Sequence, residues 1–258
     1  MVLNKKFKLI FRKMPPFIRK HLYAIFSIEM KLLNPIIVLK LNKGKFLNNT
    51  IKKINNINDA IDFVYSFKYL NFSIKIAQVK YEITKLLEIL KDLTPKIILE
   101  IGTAGGGTLF LFTRIADSEA SIVSIDLPGG AFGGGYTNWK ILLYQSFTKR
   151  GQKIKLLRAD SHNPKTFDLF KKTLDNRMVD FLFIDGDHTY EGVKRDFIMY
   201  SRLVRKGGMI AFHDIAEHPP GTKCKVNEFW DENKNNYEYL EIIEDIKQKW
   251  AGIGIIYI

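Results

Sequence analysis

Residues 98–112, "ILEIGTAGGGTLFLF", carry the most informative pattern in the chain. An apolar run that contains Glu100 leads into four glycines within six positions, and a second apolar run follows. Glycine allows a tight turn and a close approach of a ligand to the backbone. A helix that starts at such a turn offers its free N–H groups to that ligand. The pattern therefore predicts a buried strand, a glycine-rich turn and a helix, with a ligand at the turn.

Short apolar runs alternate with helical patterns along the rest of the chain. The parallel-strand candidates are "KIILEIG", "SIVSIDL", "KIKLLRAD", "VDFLFIDG" and "MIAFHDI". Continuous apolar strands that alternate with helices indicate a parallel sheet covered on both faces. The closing runs "YEYLEII" and "GIGIIYI" are joined by a segment too short for a crossover helix, so they should pair antiparallel. We predict an α/β fold with a doubly wound, Rossmann-like, seven-stranded sheet that is mostly parallel and has an antiparallel last strand.

Two helix boundaries are predicted from local residues. Asn163-Pro164 should start a helix, because asparagine caps a helix N-terminus and proline suits its first turn. Gly207-Gly208 should end the helix that precedes the fifth parallel strand, because glycine is common just after a helix.

Each of the five predicted parallel strands ends in an acid. These acids are Glu100, Asp126, Asp160, Asp185 and Asp214. Ligands of such sheets bind beyond the carboxyl ends of the strands, and carboxylates are costly to bury without partners. The five acids are therefore predicted to line one cleft.

The positive charge of the chain is concentrated near its start. The formal net charge is +13, and residues 1–45 hold eleven Lys and Arg but one acid. We predict a basic helical N-terminal segment and linker at 1–57 and one domain at 58–258. The segment should pack on that domain or on a second copy of the chain in a homo-oligomer, or contact an anionic membrane surface. Specific nucleic-acid binding is not expected, because no recognition motif accompanies the charge.

The composition also bears on the compartment. Cys224 is the only cysteine, which excludes an internal disulfide framework and a multi-cysteine zinc site. Neither a secretory signal nor an uninterrupted membrane span is apparent near the start of the sequence. These features predict a cytoplasmic location, with peripheral membrane contact through residues 1–45 as an alternative.

The glycine turn favours one kind of cofactor. Its spacing is G-T-A-G-G-G, which differs from the G-x-G-x-x-G of dinucleotide-binding turns. Glu100 stands two residues before the first glycine, where a carboxylate disfavours a pyrophosphate but suits a cationic amino-acid tail. From about Ile74 to Ile258, the chain resembles the class I S-adenosylmethionine-dependent methyltransferases.

The resemblance implies a set of cofactor-binding residues. Those that would cradle the methionine part are Glu100, Gly102, Thr103 and Gly106. Asp126 would take both ribose hydroxyls, and Asp160 would face the adenine amino group. Tyr136 and Trp139, in the loop after the second strand, would either cover the adenine or belong to the core.

The stretch "FIDGDHTYEG", residues 183–192, indicates the chemistry. Asp185 and Asp214 end neighbouring strands and suit a hard divalent cation such as Mg²⁺, which would lower the pKa of a substrate hydroxyl. His188 is a candidate general base, because histidine titrates near neutral pH.

This half of the chain resembles a narrower group. The group comprises metal-dependent O-methyltransferases of catechols, caffeoyl esters and macrolide sugars, together with relatives of cephalosporin hydroxylase. The shared patterns are "DGDH-Y-GV" and "GG-I-FHD". Asp185 and Asp214 match the two metal-binding acids, and His188 matches the base. At the third ligand the chain departs from the group, because His213 and Ile215 flank Asp214; His213 would bind the metal or only donate a hydrogen bond.

These patterns predict an enzyme that uses S-adenosylmethionine to methylate a hydroxyl of a sugar or other polar natural product, with Mg²⁺ or another divalent cation. Asp185 and His188 would be its catalytic residues. The alternatives are a cofactor-binding protein without catalysis and a hydroxylase-like or NAD-binding relative on the same fold. Serine-hydrolase and P-loop motifs are absent from the sequence.

If the basic segment contacts membranes, the full chain should float with anionic liposomes more than a chain without residues 1–45, because the segment carries most of the net charge. Liposome flotation measures the two fractions. Equal flotation of the two chains would rule this contact out.

Overall fold

The computed structural model describes residues 54, 56–69, 72–132 and 134–258. Most of the predicted basic segment at 1–57 lies outside these residues, so its helices and its boundary with the domain stay predictions. Within the described ranges, no helix combines the length and the apolar character that crossing a membrane requires.

Seven strands form one sheet. In chain order they are β3 (Ile97–Ile101), β4 (Ser121–Ile125), β5 (Lys153–Leu157), β6 (Val179–Ile184), β7 (Val204–His213), β8 (Glu238–Ile242) and β9 (Ile253–Tyr257). Across the sheet the order is β5-β4-β3-β6-β7-β9-β8. The pairs from β5 to β7 are parallel, and β9 runs antiparallel to both β7 and β8. The predicted seven-stranded sheet with an antiparallel last strand is confirmed.

Helices and a small hairpin complete the fold. The hairpin consists of β1 (Lys68–Tyr69) and β2 (Phe72–Ser73). The helices are α1 (Ile57–Ser66), α2 (Lys80–Leu93), α3 (Gly107–Ile115), α4 (Lys140–Gln145), α5 (Pro164–Leu174), α6 (Tyr190–Tyr200) and α7 (Val226–Asn233). As predicted, α5 starts at Asn163-Pro164, where the Asn163 side chain accepts a hydrogen bond from the backbone N–H of Lys165.

The prediction for Gly207-Gly208 is wrong. Helix α6 ends at Tyr200 and one 3₁₀ turn, Ser201–Leu203, follows it, so both glycines lie inside β7. The pairing of β7 with β6 shifts register in this region, and Gly207 has a φ of 72°. The two glycines therefore lie at an irregularity within a strand. Such an irregularity favours glycine, as the end of a helix does.

The sheet is covered on both faces by aromatic packing. On one face, Phe112 of α3 contacts the rings of Phe181 and Phe183 at centroid distances of 5.3 and 5.4 Å. On the other, Phe212 of β7 packs against Phe197 of α6 and Trp230 of α7. Each fully buried aromatic ring of this kind typically stabilises a fold by about 3–5 kcal/mol relative to alanine. The two layers hold the strand ends in fixed register.

Gly102 lies where two neighbouring strands end, and its environment admits no side chain. Its φ is 99°, and a Cβ atom built on it would lie 1.9 Å from the backbone oxygen of Asp185. Gly221 provides a comparison, because its φ is 84° but nothing lies within 4 Å of such an atom.

Replacing Gly102 with alanine should reduce the free energy of unfolding by more than about 3 kcal/mol, because backbone strain and a steric clash add. Gly221→Ala should cost only the strain, about 1–2 kcal/mol. Urea denaturation of both variants measures the difference. Equal losses for the two variants would contradict the close approach at Gly102.

Candidate active site

A cavity of about 490 Å³ opens at the carboxyl edge of the parallel strands. Four of the five predicted acids line it: Asp126, Asp160, Asp185 and Asp214. Parallel strands bring their carboxyl ends to one edge, which explains why residues far apart in sequence meet here. The fifth acid, Glu100, lies behind the cavity wall and is fully buried.

The glycine turn and Asp126 form one end of the cavity. One carboxylate oxygen of Asp126 accepts a hydrogen bond from the N–H of Ala104 at 2.9 Å, and the other accepts one from Gly135 at 3.0 Å. Burial raises the pKa of Asp126 above its ordinary value, although these hydrogen bonds oppose the shift. Each carboxylate oxygen can accept a further bond, so Asp126 can still bind a hydroxyl from the cavity.

The remaining predicted cofactor residues fall into two groups. Gly102 and Asp160 line the cavity. Thr103 is buried, with its hydroxyl bonded to that of Ser124, and Gly106 caps α3 with a φ of 80°. Thr103 and Gly106 therefore stabilise the glycine turn and do not themselves line the cavity.

Glu100 is buried beneath the glycine turn. Its two carboxylate oxygens accept hydrogen bonds from the hydroxyls of Thr108, at 2.5 Å, and Ser124, at 2.7 Å. Burial raises the pKa of Glu100 to about 8, against the effect of those two hydrogen bonds. In the structure, Glu100 connects β3, β4 and α3, and it could act on a ligand only at a distance.

Two features of the Asp160 end were missed from the sequence. His162 lines the cavity, and its Nε2 lies 3.2 Å from a carboxylate oxygen of the fully buried Asp196. The hydrogen bond that the imidazole donates to Asp196 raises the pKa of His162. The short sequence "DSH" placed His162 two residues after Asp160, but nothing local indicated that Asp196, on α6, would be its partner.

The aromatic residues predicted in the loop after β4, Tyr136 and Trp139, pack with the core and do not line the cavity. Tyr136 is buried in the core with its ring 4.9 Å from that of Tyr144. Trp139 packs, half-buried, against the same core. The aromatic residue of this loop that lines the cavity is instead Phe132, whose ring stacks on His188 at 4.8 Å.

Acids and histidines form the other end of the cavity. Nδ1 of His188 lies 2.7 Å from a carboxylate oxygen of Asp214, and its Nε2 lies 3.6 Å from Asp185. Nδ1 of His213 lies 3.1 Å from Asp185 and 3.4 Å from Asp214. Asp214 follows β7 with a φ of 66°, a left-handed conformation that turns the chain at this point. Each of the two predicted histidines therefore lies close to both of the predicted acids.

The charges of this cluster reinforce one another. Burial lowers the pKa of His188, but its hydrogen bonds with Asp214, whose carboxylate accepts from the imidazole, and with Cys224 outweigh it and raise that pKa to about 11. Burial likewise opposes the protonated form of His213, yet the charge of Asp185 raises its pKa to about 10. Burial favours the neutral form of Asp214, but its histidine partners hold its pKa well below the ordinary value. Without another cation, the cluster stabilises imidazolium–carboxylate pairs.

The same atoms fit a metal ion. Ligand atoms of Asp185, His213 and Asp214 lie within 4.8 Å of one another, and so do those of His188, Asp214 and Cys224. The separations of 3.1 and 3.4 Å around His213 match those between neighbouring ligands that each lie about 2.0–2.6 Å from one ion. Nε2 of His213 is buried and has no hydrogen-bond partner among the described residues.

Two further residues reach the cluster, Gln78 from a distant part of the chain and His218 from four residues after Asp214. The amide of Gln78 donates a hydrogen bond of 2.7 Å to Asp185. Nε2 of His218, to which the sequence assigned no role, lies 3.5 Å from Asp214. No sequence pattern connects Gln78 with Asp185, because 107 residues separate them.

Comparisons with known proteins bear on the family and the fold of the chain. Residues 99–215 match the model of a family described as a methyltransferase domain. Protein R132 of Acanthamoeba polyphaga mimivirus is 33% identical over 120 residues, which cover 46% of this chain and 52% of that protein. Protein y4gI of Sinorhizobium fredii is 28% identical over 145 residues, 54% of this chain and 15% of that protein. The chain thus spans about half the length of the first relative and a small part of the second.

Solved structures share the fold. Cofactor-bound Rv0187 from MTB has a TM-score of 0.52 and 15% identity, and the match covers 78% of this chain and 87% of that one. A Staphylococcus aureus protein assigned as a caffeoyl-CoA O-methyltransferase has a TM-score of 0.50 and 17% identity, with 84% and 99% covered. The match of residues 99–215 to a methyltransferase domain and the fold shared with these structures agree with the broader resemblance to S-adenosylmethionine-dependent methyltransferases. The narrower resemblance to the metal-dependent enzymes stays a prediction.

The raised pKa of Glu100 predicts a pH dependence of stability. The folded protein keeps the Glu100 proton up to about pH 8, whereas an unfolded chain loses it near its ordinary value of 4.5. This contribution to stability is complete below the unfolded pKa and is lost as the pH rises through the folded one. Glu100→Gln should therefore lose less free energy of unfolding than wild type between about pH 5 and pH 8, by a few kcal/mol.

Urea denaturation at several pH values measures this difference. Glu119→Gln makes the same chemical change at an exposed position and should follow the wild-type pH dependence. A Glu100→Gln profile parallel to wild type would show that Glu100 is ionised in the folded protein.

Proposed function

We propose that the protein transfers the methyl group of S-adenosylmethionine to a hydroxyl of a sugar or another polar natural product, with the help of a divalent cation. The observation that carries the proposal is the single cavity whose two ends differ in chemistry. Gly102, Asp126 and Asp160 line one end, and the cluster of Asp185, His188 and Asp214 lines the other. Methyl transfer needs a donor and an acceptor aligned in one space, because it is an in-line displacement.

The donor would bind at the Asp126 end. Asp126 and Asp160 follow the neighbouring strands β4 and β5, and β3 with Gly102 comes next in the sheet. A nucleoside that spans these strand ends would place its ribose at Asp126 and its adenine at Asp160. The sulfonium would then lie near Gly102, next to Asp185. Negative charge from both ends of the cavity favours a cationic donor.

The acceptor would bind at the histidine end. Asp185, His213 and Asp214 would hold the cation, and Gln78 would fix the orientation of Asp185 through its hydrogen bond of 2.7 Å. When bound, such a cation would lower the pKa of the acceptor hydroxyl. Mg²⁺ prefers oxygen ligands, and the imidazole of His213 also suits transition metals.

His188 would take the proton. Its Nδ1 lies 2.7 Å from Asp214, so the N–H is assigned to Nδ1 and Nε2 is left as the acceptor. The hydroxyl oxygen attacks the methyl carbon, the carbon–sulfur bond breaks, and sulfur leaves with the electron pair as a neutral thioether. The hydroxyl proton moves to Nε2 of His188. The positive charges of the sulfonium and the cation would lower the pKa of His188 from its high value in the ligand-free cluster and so provide the neutral base.

S-adenosylhomocysteine should raise the melting temperature of the protein and NAD should not, because a ligand that binds only the folded state stabilises it by mass action. At a hundredfold excess over Kd the shift should be roughly 5 °C or more. Asp126→Asn should lose most of this shift, because it removes the charged acceptor of the ribose hydroxyls. Thermal-shift assays measure all three effects.

Asp185→Ala is the matched control, because it changes an acid at the other end of the cavity. It should keep the shift with S-adenosylhomocysteine and lose any additional shift that Mg²⁺ or Mn²⁺ gives to wild type. Stabilisation by NAD alone would contradict the proposed donor. Loss of the S-adenosylhomocysteine shift in Asp185→Ala but not in Asp126→Asn would reverse the proposed orientation.

A further inference from the structure

An indole borders the cavity at the end farthest from Asp126 and Asp160. Trp250 lines the cavity with 52% of its surface exposed. It lies three residues before Ile253, the first residue of β9, which pairs with His213 at the end of β7. Since β9 lies beyond β7 in the sheet, Trp250 extends the cavity past the histidine cluster and away from the proposed nucleoside end.

A buried carboxylate holds the loop that carries Trp250. Glu82 of α2 is fully buried and accepts hydrogen bonds from the side-chain amide of Gln248 at 2.7 Å and from the N–H of Gly252 at 2.9 Å. It also accepts a longer one, 3.3 Å, from the N–H of Glu244. The amide of Gln248 additionally donates to the carbonyl of Trp250 at 2.8 Å. The chain is therefore tied to one carboxylate on both sides of Trp250.

The same loop is tied to the acid–histidine cluster. The N–H of Ala251 donates to a carboxylate oxygen of Asp214 at 3.1 Å, and its carbonyl accepts from the N–H of Ala216 at 2.9 Å. Trp250 thus has a fixed place relative to the residues proposed to bind the acceptor hydroxyl. A large apolar side chain that stays half-exposed on a well-tethered loop beside a polar cavity is typical of a ligand-binding site.

We propose that Trp250 is the surface on which the ring of the acceptor packs, and that Glu82 is the residue that positions it. The inference rests on the proposed function, because it assigns the acceptor to the histidine end. A ring that carries hydroxyl groups, whether aromatic or a sugar, has an apolar face for the indole and a polar edge for Asp214 and His188. Glu82 does not line the cavity and acts only through the loop.

The test uses the full chain labelled with 5-fluorotryptophan, with S-adenosylhomocysteine and Mg²⁺ present. The sequence has three tryptophans, so the ¹⁹F spectrum should contain three resonances, and Trp250→Phe assigns one of them. The probes are 1,2-dihydroxybenzene and methyl glucopyranoside. At least one should shift the Trp250 resonance saturably, while that of the buried Trp230 stays in place.

A response to the first probe alone identifies an aromatic ring, and a response to the second alone identifies a sugar. If neither probe moves the Trp250 resonance, the inference is wrong. Absence of S-adenosylhomocysteine binding to the wild type would instead refute the proposed function, so the two failures are distinguishable.

Single substitutions then distinguish the packing role of Trp250 from the positioning role of Glu82. Trp250→Ala should weaken binding of the responding probe about tenfold, since a stacked ring is lost. Glu82→Gln should weaken it several-fold and leave S-adenosylhomocysteine binding unchanged. Gln248→Ala removes one donor to Glu82 and covers the case in which Glu82→Gln does not fold.

Ile246→Ala is the matched control, because Ile246 lies on the same loop, is 92% exposed and should not affect the probe. Unchanged probe affinity in both Glu82→Gln and Gln248→Ala would contradict the positioning role. An equal loss of probe affinity and of S-adenosylhomocysteine affinity would show that Glu82 has only a structural role.

Discussion

The close contact between the Gly102 turn and the backbone of Asp185 determines the geometry of the site. The N–H of Asp185 donates to the carbonyl of Ile101, and the N–H of Gly102 donates to that of Ile125, both at 2.8 Å. These bonds continue the sheet one residue past the strand ends and bring the glycine turn against the strand that carries Asp185. A side chain at Gly102 would separate the two ends of the cavity, and alignment errors of about 1 Å are already costly in displacement reactions.

The second constraint is electrostatic. Several carboxylates at one sheet edge repel one another, and partial burial strengthens the repulsion. The protein compensates for it locally: backbone N–H groups bond Asp126, Gln78 bonds Asp185, and histidines contact Asp214. The arrangement leaves a net preference for cations in the cavity, and a sulfonium donor and a divalent metal are both cations. In the proposed reaction, bound cations would lower the pKa of His188 and so favour its neutral form.

The sequence predicted the features that depend on local pattern. The apolar runs predicted the parallel strands and the antiparallel final pair. Four of the five acids that follow the parallel runs line the cavity, as predicted. Where a local pattern has two physical explanations, the sequence could not choose between them. Gly207-Gly208 suits the end of a helix and an irregular strand equally well, and the prediction of a helix end was wrong. For Tyr136 the alternatives of an adenine cover and a core residue were both open, and the structure has it in the core.

Residues that act through long-range contacts could not be predicted. Gln78, Asp196 and Glu82 are ordinary polar residues in or beside helical patterns, and their partners lie on elements distant in sequence. Trp250 stands in front of the last strand and belongs to none of the motifs that the sequence offered. Only the packing of β9 against β7 places it at the cavity. The cavity residues predicted from the sequence therefore lie at or just after strand ends, and the residues that it missed contact them from elements distant in sequence or line the same cavity.

A crystal structure of the complex with S-adenosylhomocysteine tests the central claim most directly, because it locates both ends of the ligand in the cavity. We expect the ribose hydroxyls at Asp126, the adenine beside Asp160 and His162, and the sulfur directed toward Asp185, with the space up to Trp250 left open for the acceptor. A ligand that lies with its adenine at Trp250, or that binds outside this cavity, would contradict it.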